Sequence, residues 1–232
     1  MSSPPTPPGA GGTATGCPMA GPRSSWSVVY STSKYRKDVV SGSARLRLAL
    51  YLTSTFDHSK AVKEIMHAGI DCYMSRGTVE ALGLSGHRLH IIKARQQFRI
   101  GTWTVLPFDT QHDAAEPLAF LLANQAGDKL LYITDSFYCR YCFQGLTHIM
   151  IEANYSLDIL NGNVESGSIP KEMKSRILKS HFSLENVKEF LKANDLSKVQ
   201  EIWLLHLSEQ NSCEKRFKEE VQKITGKPTY IA

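Results

Sequence analysis

The sequence lacks an apolar run long enough to cross a membrane, and its cysteines do not form a disulfide framework. None of its apolar runs approaches the roughly 20 residues of a membrane span. The five cysteines are an odd number at irregular spacing, and the Cys139 and Cys142 pair has no second pair that would complete a structural zinc site. An apolar secretory core is also missing from the beginning of the sequence. We therefore expect a globular protein of the reducing cytoplasm that does not associate with membranes.

The net charge of +5 is confined to one part of the sequence and says little about partners. Residues 1–56 hold six of the 27 basic residues and one of the 22 acidic residues, which leaves 21 of each sign in the remainder. The remainder is formally neutral, so its charge alone does not indicate nucleic-acid binding.

The sequence divides into two regions of different character. Residues 1–25 contain six of the ten prolines and many glycines, a composition that cannot bury enough apolar surface to offset chain entropy. Residues 26–55 show no clear helical or strand period. We therefore predict a disordered or aberrant segment over 1–56 and a single domain over 57–232.

From Asp57 onward the apolar pattern is regular and typical of a layered α/β protein. Helical spacing predicts a helix over Ser59–Ala68, and alternation predicts a hairpin of Leu118–Ala123 and Lys129–Thr134. Ser183 is expected to cap a helix that runs to Asn194. Further strands are expected at 70–74, 88–92, 97–100, 103–108, 147–152 and 202–207, and further helices at 78–82, 171–179 and 214–224. Paired strands followed by helices predict an α/β fold in layers.

Residues that bind metals recur where predicted elements begin or end. Asp57 and His58 stand next to the first helix, whereas His112, Asp135 and His206 follow strands. Imidazoles together with carboxylates form the ligand set of hydrolytic zinc or manganese sites. Taken singly, each residue has a simpler explanation as a turn, a cap or an exposed side chain.

The order of the local motifs adds specificity. The segments DHSKA, FDTQHDAAEP, YITDS, IEANYS, SHFSLEN and LLHLSEQNS resemble, in this order, the later motifs of metallo-β-lactamase-fold hydrolases, especially a small bacterial and phage branch with nuclease-like members. The resemblance covers about three quarters of the chain. It implies a four-layer αββα sandwich that is incomplete or irregular at its N-terminus.

The resemblance also implies a metal-ligand set. Asp57 and His58 match the end of the His-x-His-x-Asp-His motif of this superfamily. His112 matches the third histidine of the first metal site, and Asp135 matches the residue that bridges two metals. His206 would complete the second site together with Asp57 and His58. The implied cofactor is divalent metal, zinc or else manganese, with one or two ions bound.

Two further residues match positions that line the active site in nuclease-like members. His181 is implied as an acid for the leaving group or as a phosphate contact, and Glu152 lies beside it. The alternative for both is capping and surface pairing. Asp57 is also implied to orient the attacking hydroxide.

The sequence departs from the superfamily where two ligands of the first metal belong. Thr53 and Thr55 stand in the place of the His-x-His pair, and hydroxyl groups replace neutral imidazole poorly on zinc. The first site would keep only His112 and Asp135. If the codons of residues 52–56 are read from each preceding third base, the genetic code permits His-Glu-His-Val, so a frame-shifted N-terminal segment is a hypothesis that the coding DNA tests.

Two functions remain open at this stage. The first is a metal-dependent hydrolase, or its remnant, that acts on phosphodiester bonds of nucleic acid. Basic residues around the expected site favour phosphate, namely Arg140, Lys171, Lys174, Arg176 and Lys179. The second is a catalytically silent protein that keeps the fold as a binding or structural module. The metal content of the protein distinguishes the two.

Overall fold

A computed structural model describes the secondary structure of residues 48–50 and 56–232, and the side chains from Val62 onward. In these ranges the chain forms ten strands and six helices. In chain order they are β1 (Leu48–Leu50), α1 (Phe56–His67), β2 (Asp71–Ser75), α2 (Arg76–Leu82), β3 (Leu89–Ile92), β4 (Phe98–Ile100), β5 (Trp103–Asp109), β6 (Leu118–Asn124), β7 (Lys129–Ile133), β8 (His148–Glu152), α3 (Leu157–Glu165), α4 (Lys171–Ser180), α5 (Leu184–Ala193), β9 (Glu201–Leu205), α6 (Glu214–Thr225) and β10 (Thr229–Ile231).

The strands form two sheets. The small sheet has the order β1-β2-β3, and both of its pairings are parallel. The large sheet has the order β10-β9-β8-β7-β6-β5-β4. Its half from β4 to β7 is antiparallel, and its half from β7 to β10 is parallel. The parallel half places the carboxyl ends of β7, β8 and β9 side by side.

Both faces of the large sheet are covered. Along β7, Leu131 and Ile133 pack into one core with the apolar faces of α5 and α6, whereas Leu130 and Tyr132 pack into a second core on the opposite face. Alternation of this kind follows from the two-residue period of a strand. The near-continuous apolar runs of the central strands are explained by burial on both sides.

The small sheet closes the second core. Tyr73 of β2 stacks on Phe98 of the large sheet, with ring centroids 5.3 Å apart. Its neighbours Cys72 and Met74 face the other way and pack with residues of α1 and α2, including Val62. The layers therefore run helices, large sheet, small sheet, helices, which confirms the predicted αββα sandwich.

Most predicted elements are present at shifted bounds. The hairpin of β6 and β7 is confirmed, and Ser183 caps α5 by accepting a hydrogen bond from the backbone N–H of Asn186 at 3.1 Å. Helix α1 begins at Phe56, three residues before the predicted start. Helix α3 and the short strand β10 were not predicted, because α3 contains Asn and Gly, which favour turns, and β10 has three residues.

The predicted N-terminal segment falls mostly outside the described residues. Residues 1–47 and 51–55, including Thr53 and Thr55, lie outside them. Leu48–Leu50, which belong to that segment, form β1 and pair with β2. In the described part of the chain, no helix combines the length and the apolar character that a membrane span requires. The four cysteines in this part are unpaired.

The apolar core between α6 and the large sheet is expected to contribute strongly to the free energy of unfolding. Phe217 is fully buried against the large sheet, whereas Ile224 on the same helix is 40% exposed. Phe217→Ala should lower the free energy of unfolding by about 3–5 kcal/mol, because it removes apolar contacts and leaves a cavity. Ile224→Ala is the matched control and should cost less than about 1 kcal/mol. Urea denaturation measures both, and equal losses would contradict this assignment of the core.

Candidate metal centre

Four side chains converge at the carboxyl edge of the parallel half of the large sheet. Asp135 follows β7, Glu152 ends β8, His206 follows β9, and His181 caps the C-terminus of α4. One potential ligand atom from each of the four lies within 4.8 Å of the others. The first three arrive from adjacent parallel strands, so the sheet itself brings them together.

The donor set fits a divalent metal ion. Nδ1 of His206 lies 3.0 Å from Oδ1 of Asp135 and 2.8 Å from Oε1 of Glu152, and Nδ1 of His181 lies 3.8 Å from Oδ1 of Asp135. Ligand atoms that share one ion with bonds of about 2.1 Å are expected about 3 Å apart. Two carboxylates and two imidazoles are typical of zinc, manganese and iron sites. The residues present therefore fit a metal.

The surroundings of one ring nitrogen of His206 also indicate a metal site. Nδ1 of His206 is buried, and its two close carboxylate oxygens do not have the geometry of aligned hydrogen bonds. These approaches are charge contacts. A buried polar atom without an aligned hydrogen-bond partner lowers the stability of the folded protein unless a bound ligand interacts with it. Both His206 and Asp135 also have a positive φ, 54° and 49°, which is uncommon outside glycine and concentrates at functional sites.

Glu152 is the buried anchor of the cluster and is fully inaccessible. Its Oε1 accepts a 2.6 Å hydrogen bond from Nδ1 of His181, and its Oε2 accepts from the backbone N–H of Ser136 at 3.1 Å. Burial alone would raise the pKa of Glu152, but the two adjacent imidazoles outweigh burial and hold that pKa below its ordinary value. Glu152 is therefore ionised and fixes the orientation of His181.

His206 carries a proton in the metal-free protein. Burial disfavours its charge, but Asp135 and Glu152 outweigh burial and raise the pKa of His206 to about 10. The carbonyl of His206 also accepts a 2.8 Å hydrogen bond from the amide of Asn154, which holds this strained residue in place. A metal ion that binds Nδ1 must displace that proton.

This protonation predicts a pH dependence of stability without metal. Because the pKa of His206 is raised above its ordinary 6.5, its contribution is fully present below pH 6.5 and is lost as the pH rises through about 10. With a chelator present, the urea midpoint should fall more over this range in the native chain than in His206→Asn, since Asn tolerates the positive φ but does not titrate. Parallel pH profiles of the two proteins would refute the assignment.

His112 lies beside the four-residue cluster without being a member of it. Its ring meets the ring of His181 edge to face, with centroids 5.5 Å apart, and its side chain is 3% exposed. Nδ1 of His112 accepts a 3.1 Å hydrogen bond from the backbone N–H of Ala114. Burial lowers the pKa of His112, although the charge of Asp135 opposes this. The ring is therefore neutral.

The structure brings together most of the site predicted from the sequence. His112, Asp135, Glu152, His181 and His206 all lie at one edge. Asp57 and His58 are in the first turn of α1, and their side chains lie outside the described ones.

One supporting residue was not predicted. Ser136 is fully buried; its backbone binds Glu152, and its hydroxyl donates to the carbonyl of Tyr138 at 2.8 Å. The YITDS motif contains Ser136, but nothing in its spacing predicts these contacts.

Comparison with known proteins identifies the fold. No protein-family model matches the chain, and no curated protein sequence matches it. Among solved structures, YhfI from Bacillus subtilis, a metallo-β-lactamase-fold protein, matches with a TM-score of 0.60 at 14% identity over 80% of this chain and 74% of its own. Igni18, a metallo hydrolase from Ignicoccus hospitalis, matches with a TM-score of 0.56 at 9% identity over 80% and 75%.

A third similar structure is a diphosphatase of the PhnP family. It has a TM-score of 0.51 and 15% identity over 80% of this chain and 68% of its own. Identities this low establish architecture alone. Together with the layer order and the position of the cluster at the sheet edge, they show that the chain has the metallo-β-lactamase fold.

Proposed function

We propose that this protein is a metal-dependent hydrolase that cleaves phosphodiester bonds of nucleic acid, acting in the cytoplasm of a bacterium or on behalf of a phage. The observation that carries the proposal is the cluster of Asp135, Glu152, His181 and His206 within 4.8 Å of one another. Similarity in fold to a metallo hydrolase and to a diphosphatase supports metal-dependent hydrolysis at phosphorus.

Of the four clustered residues we assign Asp135 and His206 to the metal, because each presents a buried, charged atom that faces the other. Glu152 and His181 are instead hydrogen-bonded to each other at 2.6 Å. Zinc or manganese suits this set, with Asp57 and His58 as proposed further ligands and one or two ions bound. When bound, the ion supplies a water of lowered pKa and neutralises charge on the phosphoryl group.

His181 and Glu152 are assigned to the proton of the leaving group. Nδ1 of His181 donates to ionised Glu152, so Nε2 is the ring nitrogen that faces the substrate. The Nε2 atom gives its proton to the departing oxygen as the ester bond breaks. Glu152 stays ionised throughout and stabilises the positive ring before transfer.

Basic residues on the helix that precedes this acid support a phosphate substrate. Helix α4, which is capped at its C-terminus by His181, carries Lys171, Lys174, Arg176 and Lys179. Lys171, Arg176 and Lys179 are exposed. Such side chains contact the phosphate backbone of nucleic acid without reading its sequence. We therefore expect a substrate with several phosphates to bind better than a single phosphodiester, and more weakly as salt is added.

The direct test joins metal analysis to hydrolysis. Purified protein is analysed for bound metal and assayed on bis(p-nitrophenyl) phosphate, single-stranded DNA, double-stranded DNA and RNA, with and without a chelator. Chelator-sensitive cleavage is expected. Metal binding without cleavage of any substrate would favour the second function, a silent binding module, which the threonines at 53 and 55 favour independently.

The role of His181 predicts a dependence on the leaving group. His181→Ala should slow cleavage of nucleic acid, whose alkoxide leaving group needs a proton, by about 10²–10⁴-fold. Cleavage of a p-nitrophenyl ester should change far less, because p-nitrophenolate leaves without a proton. Kinetics on both substrates measure the difference.

Metal content distinguishes a proton donor from a ligand. His181→Ala should retain the metal of the native chain, and exposed His87→Gln is the matched control. Loss of metal from His181→Ala, or an equal slowing on both substrates, would assign His181 to the metal instead.

A further inference from the structure

The loop that carries His112, residues 110–117, is held from several sides. At its base the backbone N–H of Gln111 donates to Oγ of Ser136 at 3.1 Å. Asp113 forms an ion pair with Arg176 of α4 at 3.2 Å. The loop therefore contacts both Ser136, which is the neighbour of Asp135 after β7, and α4, which is the helix that precedes His181.

A third contact crosses to the other layer of the sandwich. Glu116 accepts, through Oε2, a 2.7 Å hydrogen bond from the backbone N–H of Gly77 in the first turn of α2. The first backbone N–H groups of a helix have no acceptor within the helix, so the Glu116 carboxylate supplies the acceptor for one of them. Glu116 has a φ of 53°, an uncommon conformation for this residue. The contact offsets the backbone strain at Glu116.

Gly77 is required by the closeness of this approach. A Cβ atom added to Gly77 would lie 2.8 Å from Cβ of Glu116 and 3.3 Å from the carbonyl carbon of Ala115. Both distances are tighter than ordinary van der Waals contact, and one of the atoms belongs to the backbone. Any larger residue at position 77 must therefore displace the loop or the first turn of α2.

The loop also fixes the tautomer of His112. A neutral imidazole has one donor nitrogen and one acceptor nitrogen. Since Nδ1 accepts the N–H of Ala114, the proton must reside on Nε2. Oδ1 of Asp113 lies 3.3 Å from the same Nδ1, but the direction of the backbone N–H is fixed, whereas Asp113 is 46% exposed and pairs with Arg176.

This tautomer is unsuited to a metal ligand. A ligating histidine presents a lone pair to the ion and donates its other N–H to an acceptor. His112 has the reverse arrangement, because its lone pair is used by Ala114 and its proton is on Nε2. The resemblance to the superfamily implies a ligand role for His112, and the local geometry opposes it.

We propose that His112 donates a hydrogen bond from Nε2 to a phosphoryl oxygen of the substrate instead of binding metal, and that the contact between Glu116 and Gly77 positions it. The substrate role rests on the proposed function, whereas the tautomer and the absence of metal ligation do not. A neutral donor beside the cluster stabilises negative charge that develops on the phosphoryl oxygens.

Substitution of His112 tests the ligand and donor roles. His112→Phe should keep the full metal content and lower kcat by about 10²–10³-fold with little change in KM. His112→Gln, which restores a donor near the position of Nε2, should recover part of the rate. Loss of metal from both variants would overturn the proposal, as would equal rates for Phe and Gln.

The metal-free native protein provides a test that needs no activity. Long-range ¹H–¹⁵N spectra of the histidine rings should show the proton of His112 on Nε2, and a proton on Nδ1 would overturn the proposal. This measurement keeps its meaning if no substrate is ever cleaved. Failure of the proposed function is thereby distinguishable from failure of the inference.

Variants of the contact test the positioning role in the same spectra. Gly77→Ala and Glu116→Ala should change the His112 ring signals and lower kcat more than they raise KM. Glu116→Gln keeps a side-chain oxygen that accepts the N–H of Gly77, so its His112 ring signals and its kcat should resemble those of the native protein. Glu80→Ala, an exposed change on the same helix, is the control. Native ring signals in Glu116→Ala would show that the contact does not position His112.

Discussion

Asp135→Asn is expected to lower the affinity for divalent metal on the order of 100-fold or more. It should also reduce hydrolysis to the level that a chelator leaves. Asn has nearly the shape of Asp and tolerates the φ of 49°, so the fold should persist. What the variant loses is the negative charge that faces Nδ1 of His206 at 3.0 Å. Isothermal titration calorimetry with zinc or manganese, beside urea denaturation, separates lost metal from lost stability.

The matched control for this change is Asp195→Asn. Asp195 is exposed, and its carboxylate accepts a hydrogen bond from the backbone N–H of Ser197 at 2.9 Å, which Asn can also accept. The control should bind metal as the native chain does. If Asp135→Asn retains native metal affinity, Asp135 is not a ligand and the proposed site is wrong.

The part of the site that the sequence predicts best is the part that the sheet builds. Asp135, Glu152 and His206 each stand at or just after the carboxyl end of a strand, and the strands are adjacent and parallel. Residues at the carboxyl ends of adjacent parallel strands lie at one edge of the sheet, independently of the conformation of the loops. Short apolar strands followed by polar residues therefore pointed to Asp135 and His206, whereas Glu152 was singled out by the resemblance of its motif.

Contacts that depend on two distant loops could not be predicted in this way. Glu116 and Gly77 are 39 residues apart, and their contact depends on how the small sheet packs on the large one. The orientation of His112 likewise depends on the backbone of Ala114, which no residue pattern specifies. His181 was placed by the resemblance of its motif, since the C-terminus of a helix has no fixed register with a strand edge.

Restoring histidine at positions 53 and 55 is expected to add metal-binding capacity to the chain. The resemblance places two ligands of a first metal there, and Thr hydroxyls bind zinc poorly. The variant Thr53→His with Thr55→His should raise the bound metal from about one to about two ions per chain and the rate on the order of tenfold or more, because two ions stabilise both the attacking and the leaving oxygen. Elemental analysis and kinetics on bis(p-nitrophenyl) phosphate measure the two effects.

A paired control separates ligation from the removal of threonine. Thr53→Asn with Thr55→Asn introduces polar side chains that lack an imidazole, so its metal content should stay at the native value. If only the histidine variant gains metal and rate, the threonines at 53 and 55 are what limits metal binding in the native chain. If the native chain and both double variants bind no metal, Asp135 and His206 do not form a metal site, and the chain keeps the αββα fold as a silent module.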